Sequence, residues 1–268
     1  MNTIIFETDS YSIKRVYTKY YLLIKGQKSN QICNSISHII PSIYNHTNNC
    51  QDSLTTFTAD SVCNLDKWLQ TIVNDVDYNK YAKTKELATN NTTVEELATT
   101  TTKLKHNIHF FCLLLDTLSR QIAYLKNQGY GFLGVELSDI LVFNIDNSMF
   151  FLICSANQLV PIQTKINAEN SNESRLFIDS PMTKSTFSSP ETHIIACLPA
   201  FIHFNTFYYS LGMLLYFCLF DEYLLVANEF KTEEEMNELL EPIKATKLGG
   251  FFKRCFKPDA SERTMLFI

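Results

Sequence analysis

The feature of this sequence that most constrains its fold is a change in the spacing of apolar residues along the chain. Near the start, the segments TIIFET, YSIKRVY and KYYLLIKGQ alternate apolar and polar side chains, which is typical of strands with one buried face. The later run HNIHFFCLLLDTLSRQIAYLKNQG is apolar on most helical faces and predicts a long helix that ends at Gly129. The chain is therefore predicted to be an α+β protein, with a small antiparallel β part first and a mainly helical part after it.

Shorter patterns predict the remaining elements of both parts. Residues 28 to 40 predict a helix, and the segments PSIYNH and SLTTFTA predict two more strands. Asn64 is a suitable N-cap for a helix in NLDKWLQTIV. The segments GVELSDILVFN and SMFFLICSA predict a hairpin across the turn IDNS, and further helices are predicted at residues 206 to 220, about 233 to 241 and about 248 to 256.

Two segments lack the periodicity of a buried element. Residues 77 to 103 contain the near repeat KELATNN and EELATTT, and are too polar and threonine-rich to bury much surface. They predict a solvent-exposed insertion with one helical turn. Residues 163 to 189 are rich in Asn, Ser and Thr and predict a long loop.

Composition argues against several classes of function. With 268 residues and 46% hydrophobic content, the chain can form the core of one large domain or of two lobes. The net charge is -5 and the 23 Lys and Arg residues are scattered, so nucleic acid is not an expected partner. The eight cysteines include no CxxC pair, which is typical of reduced thiols in a cytosolic protein. Because the N-terminus carries acids where a secretory signal would be basic, a cytoplasmic or nuclear location is expected.

One uncharged segment has to be compared with a membrane span. Residues 192 to 220 contain no Asp, Glu, Lys or Arg, but the strongly apolar part is confined to residues 209 to 220. That part is shorter than the roughly 20 residues that cross a bilayer. The segment therefore predicts a buried core helix, and no membrane association is expected.

Four sequence words in the second part of the chain occur in a recognisable order. YLKNQGYGFLGVELSDILV begins at Tyr124, SSPE ends at Glu191, and YYSLGMLLYFCLF and LGGFFKRCFKPDASERTML follow. They resemble, in turn, the catalytic-loop region, the APE motif, the central helix and the C-terminal region of eukaryotic protein kinases. The resemblance covers most of residues 105 to 266, whereas residues 1 to 75 are only compatible with it.

The resemblance implies a two-lobed protein kinase-like fold. A degenerate N-lobe would occupy residues 1 to 62, and the C-lobe would occupy residues 63 to 268. Within the C-lobe, the polar insertion would lie at about residues 77 to 103. A loop like a kinase activation segment would occupy about residues 155 to 191.

The resemblance also places the catalytic positions of kinases on residues that lack the chemistry. The position of the HRD motif falls on Phe132, Leu133 and Gly134, and the position of the DFG motif falls on Cys154, Ser155 and Ala156. A glycine cannot accept the proton of a substrate hydroxyl, and thiol, hydroxyl and methyl groups are poor ligands for Mg²⁺. No metal site is therefore expected at these positions.

The first lobe lacks the parts that bind phosphates in kinases. No glycine precedes Gly26, so the loop in which glycines let the backbone approach phosphates is missing. Lys25 corresponds to the strand lysine that contacts phosphates, although a surface role is equally compatible with its position. From Ser10 to Gln51 there is no Asp or Glu, so the helix that follows has no carboxylate to orient Lys25.

Other matching positions imply a structural role. Glu191 and Arg263 fall where kinases have a buried ion pair between the end of the activation segment and the C-terminal helices. Phe207 falls where active kinases have an aspartate that braces the catalytic loop. These matches predict a C-lobe that keeps its fold.

The sequence thus predicts a catalytically inactive, pseudokinase-type domain that acts as a protein-binding scaffold or regulator, with no cofactor. Its expected partner is a protein, such as an active kinase or a kinase substrate. The alternative is a residual or atypical ATP-dependent serine/threonine protein kinase, using ATP and Mg²⁺ with Lys25, Asp139 and Glu136 as the base. An unrelated helical protein whose four words match by accident is the third interpretation.

Overall fold

The computed structural model describes residues 2–46, 52–75, 94–166, 172–221, 223–226 and 229–265. Its first part is a five-stranded antiparallel sheet with the strand order β1-β2-β3-β5-β4. The strands are β1 (Asn2–Glu7), β2 (Tyr11–Val16), β3 (Lys19–Ile24), β4 (Tyr44–His46) and β5 (Ser53–Thr58), and helix α1 (Ser29–Ile39) connects β3 to β4.

The alternation in the sequence explains how this sheet is buried. Tyr20, Leu22 and Ile24 on β3 are buried and the residues between them are less so, as expected where successive side chains point to opposite faces. Helix α1 buries Ile32 and Ile36, which share one helical face, and it packs against β3 and β5.

The second part is mainly helical. Its helices are α2 (Leu65–Asp75), α3 (Val94–Asn127), α4 (Pro190–His193), α5 (Thr206–Phe220), α6 (Glu233–Leu240) and α7 (Lys247–Cys255). Helix α3 packs against both α1 and α5, and α5 packs against α7. Most side chains of α5 are buried on all faces, so this uncharged helix lies in the centre of the second part.

Small sheets join the helices of the second part. Strands β6 (Ser61–Asn64), β8 (Ile140–Ile145) and β9 (Ser148–Ile153) form a sheet in the order β6-β8-β9. A second sheet, in the order β12-β11-β10-β7, contains β7 (Tyr130–Phe132), β10 (Leu159–Ile166), β11 (Asn172–Ile178) and β12 (Ala200–His203). The short strands β13 (Leu225–Val226) and β14 (Glu229–Phe230) pair with each other.

The predicted α+β class is confirmed, and several elements lie where the sequence places them. Helix α5 has the predicted bounds. The β8–β9 hairpin turns at Asp146 and Asn147, both with positive φ, as a type I′ turn requires. The N-cap prediction for α2 agrees with a 3.0 Å hydrogen bond from Lys67 N to Asn64 Oδ1.

Other elements differ from the sequence predictions. Helix α3 begins at Val94, so the last residues of the predicted insertion are helical, while its residues 77 to 93 lie outside the described part of the chain. The predicted loop at residues 163 to 189 contains the second half of β10 and all of β11. The loop prediction was wrong there because composition does not reveal pairing with strands elsewhere in the chain.

Among the described residues, no helix combines the length and the apolar character needed to span a bilayer. Helix α5, which the sequence marks as the candidate span, has only 15 residues.

Candidate functional site

The candidate site is the cleft between the five-stranded sheet and the helical part, where the resemblance places a nucleotide. The turn between β1 and β2 lies over this cleft. It is closed by the Thr8 hydroxyl, which accepts hydrogen bonds from Ser10 N at 3.3 Å and Tyr11 N at 3.0 Å. The turn is short and hydrogen-bonded, and contains no glycine.

Two side chains from this turn cross the cleft. Tyr11 is fully buried, and its hydroxyl donates a hydrogen bond to the Ser138 carbonyl. Ser10 Oγ lies 3.2 Å from Ser155 Oγ and accepts a 2.8 Å hydrogen bond from Asn157 Nδ2. Burial raises the pKa of Tyr11 far above its usual range, so its hydroxyl stays protonated and able to donate. These contacts fill the space between the two parts with protein.

The start of helix α1 adds two more contacts across the cleft. Lys28 Nζ donates a 2.7 Å hydrogen bond to the Leu159 carbonyl. Gln31 Nε2 lies 3.3 Å from the Tyr130 hydroxyl. Burial lowers the pKa of Lys28, although Asp179 partly opposes this effect. The cleft is therefore bridged from the β1–β2 turn to the start of α1.

Lys25, the candidate phosphate-binding residue, contacts the first strand. Its ammonium donates a 2.8 Å hydrogen bond to the Thr8 carbonyl and lies 3.4 Å from Glu7 Oε1. The side chain is about one-third exposed. The structure therefore places Lys25 beside the β1–β2 turn, with its charge already paired.

Gln121 joins the two parts behind the cleft, and the sequence did not identify it. Its side chain is fully buried on α3, and its amide exchanges two 2.8 Å hydrogen bonds with the backbone of Ile153. Its Nε2 also donates to Ser35 Oγ on α1 at 3.0 Å. The available sequence signal was a glutamine among apolar residues on the buried face of a helix, where an unpaired amide would be costly.

Close packing occupies the position that corresponds to HRD. Phe132, Leu133 and Gly134 are all buried, and the Phe132 ring lies 5.5 Å from the ring of Phe207. A Cβ on Gly134 would lie 3.1 Å from Ser185 Cβ. The Ser185 hydroxyl donates to the Val135 carbonyl at 2.6 Å. The position that the resemblance assigns to the general base is therefore packed against the turn that contains Ser185.

Introducing an aspartate at this position should not produce phosphate transfer. We expect Gly134→Asp to lower the free energy of unfolding by about 2–4 kcal/mol, because the larger side chain overpacks the Ser185 turn and buries a carboxylate. Gly134→Ala, the matched control, should lower it by about 1 kcal/mol or less, because the neighbours need to move only slightly. Chemical denaturation measures both changes. An unchanged stability together with new phosphate transfer in Gly134→Asp would contradict this expectation.

The two remaining carboxylates have structural contacts. Asp139 Oδ2 accepts a 2.9 Å hydrogen bond from Glu136 N, and the carboxylate of Glu136 accepts one from Thr186 N. Burial raises the pKa of Asp139, and hydrogen bonds from the Glu136 backbone and the Ser155 side chain partly offset this rise. Both carboxylates therefore already accept hydrogen bonds from the protein, whereas a residual reaction would need the carboxylates free.

The position that corresponds to DFG is buried. Cys154, Ser155 and Ala156 are each less than a tenth exposed. Burial raises the pKa of the Cys154 thiol well above its usual value, so the thiol stays neutral and unsuited to bind a metal. Within the described part of the chain, no group of three or more His, Cys, Asp or Glu residues is placed to hold a metal ion.

Glu191 and Arg263 lie together, as the resemblance implies. Arg263 Nη1 donates to Glu191 Oε2 at 2.9 Å, and Nη2 donates to the other carboxylate oxygen. The guanidinium also donates to the carbonyls of Lys257 at 2.7 Å and Pro258 at 3.0 Å, and it lies over the ring of Tyr209. The pair connects α4 to the C-terminal end of the described chain.

An open cavity of about 370 Å³ is lined by residues other than those that bridge the cleft. Its wall includes Leu133 from the position that corresponds to HRD, Ile178 from the end of β11, and residues 195 to 198 after α4. This cavity shares Leu133 with the position that the resemblance assigns to HRD, but its described wall does not include Lys25, Asp139 or Glu136.

Comparison with known proteins finds similarity in the fold but not in the sequence. No known family model matches the sequence, and no curated protein matches it. The fold is similar to the crystal structure of a rhoptry kinase from Toxoplasma gondii, with 11% identity and a TM-score of 0.48 over 98% of this chain and 73% of the other. It is also similar to PK-1, the kinase of Cydia pomonella granulovirus, with 15% identity and a TM-score of 0.48 over 99% and 91% of the two chains. Both likenesses are distant, so the function is inferred from the contacts within this chain.

Proposed function

We propose that this chain, which has the two-lobed protein kinase-like fold that its sequence predicts, binds no nucleotide and acts by binding another protein. Its role would be that of a scaffold or regulator. A protein kinase or a kinase substrate is the kind of partner that such a fold suits.

One observation carries most of the proposal: protein atoms close the cleft. Ser10 and Tyr11 contact Ser155, Asn157 and Ser138 directly. A nucleotide in the cleft would have to break these contacts and move the fully buried ring of Tyr11. Because Ser10 Oγ and the Tyr11 hydroxyl are satisfied within the protein, opening the cleft would leave buried polar groups without partners, which costs about 1–3 kcal/mol for each group.

The groups needed for phosphoryl transfer give further support. The reaction needs a base for the substrate hydroxyl and ligands for Mg²⁺. In this chain the position of the base is Gly134, packed against Ser185. Asp139 is disfavoured as an anion by burial, so neither requirement is met by a free carboxylate.

The alternative, a residual ATP-dependent kinase, would need three groups to leave their present partners. Lys25 would have to leave Thr8 and Glu7, and Glu136 would have to leave Thr186 N. Asp139 would have to leave Glu136 N. These contacts favour the binding function over the enzymatic one.

Titration of the purified chain with ATP and Mg²⁺ tests the proposal. The expected result is an unchanged melting temperature, whereas occupancy at 100 times Kd would add about 2.7 kcal/mol of stability. The Lys25→Ala and Asp139→Asn variants should behave like the unsubstituted chain in this titration. A rise in melting temperature that either substitution removes would overturn the proposal in favour of the alternative.

A further inference from the structure

Three large apolar side chains within eight consecutive residues are exposed. Ile194 is 79% exposed, Leu198 38% and Phe201 47%. Scattered exposed apolar residues are ordinary, but a contiguous group commonly marks an interaction site. We call residues 194–201 the apolar segment.

The apolar segment borders the open cavity. Leu198 and Ile195 form one part of the cavity wall, and Ile178 and Met182 form another. A volume of about 370 Å³ is at the lower end of the range for sites that enclose a small ligand. It is large enough to receive one bulky apolar side chain.

An edge of a sheet begins where the apolar segment ends. Among the described residues, strand β12 is the last strand of its sheet and pairs with β11. Phe204 N donates to Ser174 O at 3.0 Å, and hydrogen-bonded pairs alternate along an antiparallel ladder. Phe201, three residues earlier, therefore forms a non-hydrogen-bonded pair with Phe177. Its backbone N–H and C=O point away from β11, toward the open edge.

Among the described residues, the wall of the cavity contains one charged side chain, and the exposed Asp179, which follows Ile178, is not part of that wall. The charged residue of the wall is Lys184, which is exposed. Its ammonium lies 3.5 Å from the His193 carbonyl, next to the apolar segment. Residues 192 to 220 contain no Asp or Glu, so no carboxylate from that segment neutralises this charge.

We infer that the edge of β12 binds an extended segment of a partner protein as an added strand. The segment places an apolar side chain in the cavity and an acidic side chain near Lys184. Backbone hydrogen bonds give affinity in such strand addition, and pockets for alternate side chains give specificity. This inference rests on the proposed function, because it assigns a surface and a partner chemistry to the binding role.

A designed peptide tests the inference. The probe is a fluorescein-labelled octapeptide that alternates glutamate and valine, with leucine at one central position. Fluorescence anisotropy with the full chain should show saturable binding. The same peptide with lysine in place of glutamate should bind about threefold more weakly, as expected for the loss of an exposed ion pair. A version with N-methylated backbone amides should lose at least about tenfold in affinity, because it cannot pair with the edge.

Substitutions in the chain locate the binding. Phe201→Pro removes the outward N–H but no bond to β11, a position at which an edge strand tolerates proline, and it should weaken binding at least about tenfold. Phe201→Ala is the matched control, because it keeps the N–H and should weaken binding less. Lys184→Glu should reverse the preference between the glutamate and lysine peptides. Melting temperatures of all three variants show whether each one is folded.

Three results of the peptide experiments would overturn the inference. The first is that no peptide binds. The second is that the unsubstituted chain and a folded Phe201→Pro variant bind the peptide equally well. The third is that Lys184→Glu keeps the preference for the glutamate peptide over the lysine peptide. Self-association of the chain that Phe201→Pro abolishes would assign the edge to a second copy instead, and would also overturn it. The ATP titration keeps the two proposals apart. Failed peptide binding without an ATP effect rejects only the docking site, whereas an ATP effect rejects the proposed function.

Discussion

Replacing Arg263 by methionine is expected to lower the free energy of unfolding by about 3–5 kcal/mol. The Arg263 side chain is 1% exposed and donates to both oxygens of Glu191 and to the carbonyls of Lys257 and Pro258. Methionine fills similar space but has no donor, so the carboxylate and both carbonyls lose their partner. Urea denaturation measures the change as a lower midpoint with an unchanged slope.

Arg120→Met is the matched control for this loss. Arg120 is half exposed and lies 3.8 Å from Asp116, and removal of such a surface pair should change stability by about 0.5 kcal/mol or less. Glu191→Gln should cost much less in the Arg263→Met background than alone, because the two residues interact. Equal effects of Arg263→Met and Arg120→Met would show that the buried pair does not stabilise the fold.

Two adjacent glycines in helix α7 are expected to respond to alanine in opposite directions. A Cβ on Gly249 would lie 2.2 Å from the Ile243 carbonyl oxygen, which is backbone and cannot move aside cheaply. Gly249→Ala should therefore lower the free energy of unfolding by about 3 kcal/mol. A Cβ on Gly250 would meet only Arg254 Nη1, at 3.4 Å. Gly250→Ala should raise the free energy of unfolding by about 0.5–1 kcal/mol, because alanine favours the helix.

Each glycine variant is the control for the other, because both replace a glycine of helix α7 by alanine. Thermal and urea unfolding of both should give melting temperatures on opposite sides of the unsubstituted chain. A shift in the same direction would mean that α7 does not contact Ile243 as closely as described. The double variant should give the sum of the two changes only if the helix keeps its position.

Elements with a strong local signal were predictable from the sequence. The uncharged apolar run gave the bounds of α5, and the IDNS turn gave the β8–β9 hairpin. Strands β11 and β12 were missed, because short strands with mixed side chains depend on partners elsewhere in the chain. The register of β11 against β10 and β12 is not encoded in any local pattern.

The candidate site was predictable only in part. The sequence predicted that Gly134 and the residues at the DFG position lack catalytic groups. The structure adds that these residues are buried and that Gly134 packs against Ser185. Nothing local to the turn at Thr8 indicates that Ser10 and Tyr11 contact side chains and backbone 127 to 147 positions later in the chain. Long-range closure of this kind follows from the tertiary fold, because each hydroxyl finds its partner only when the two lobes meet.

The closed cleft has a consequence for how such a protein is controlled. In an enzyme that opens and shuts around its ligand, occupancy can shift the population of conformations, because the ligand prefers one of them. In this chain Tyr11, Ser10 and Lys28 connect the two parts directly, and under the proposed function no nucleotide shifts such a population. The proposed docking edge of β12 is then accessible at any ATP concentration. The amount of complex depends on the concentrations of the chain, of its partner and of other segments that compete for the same edge.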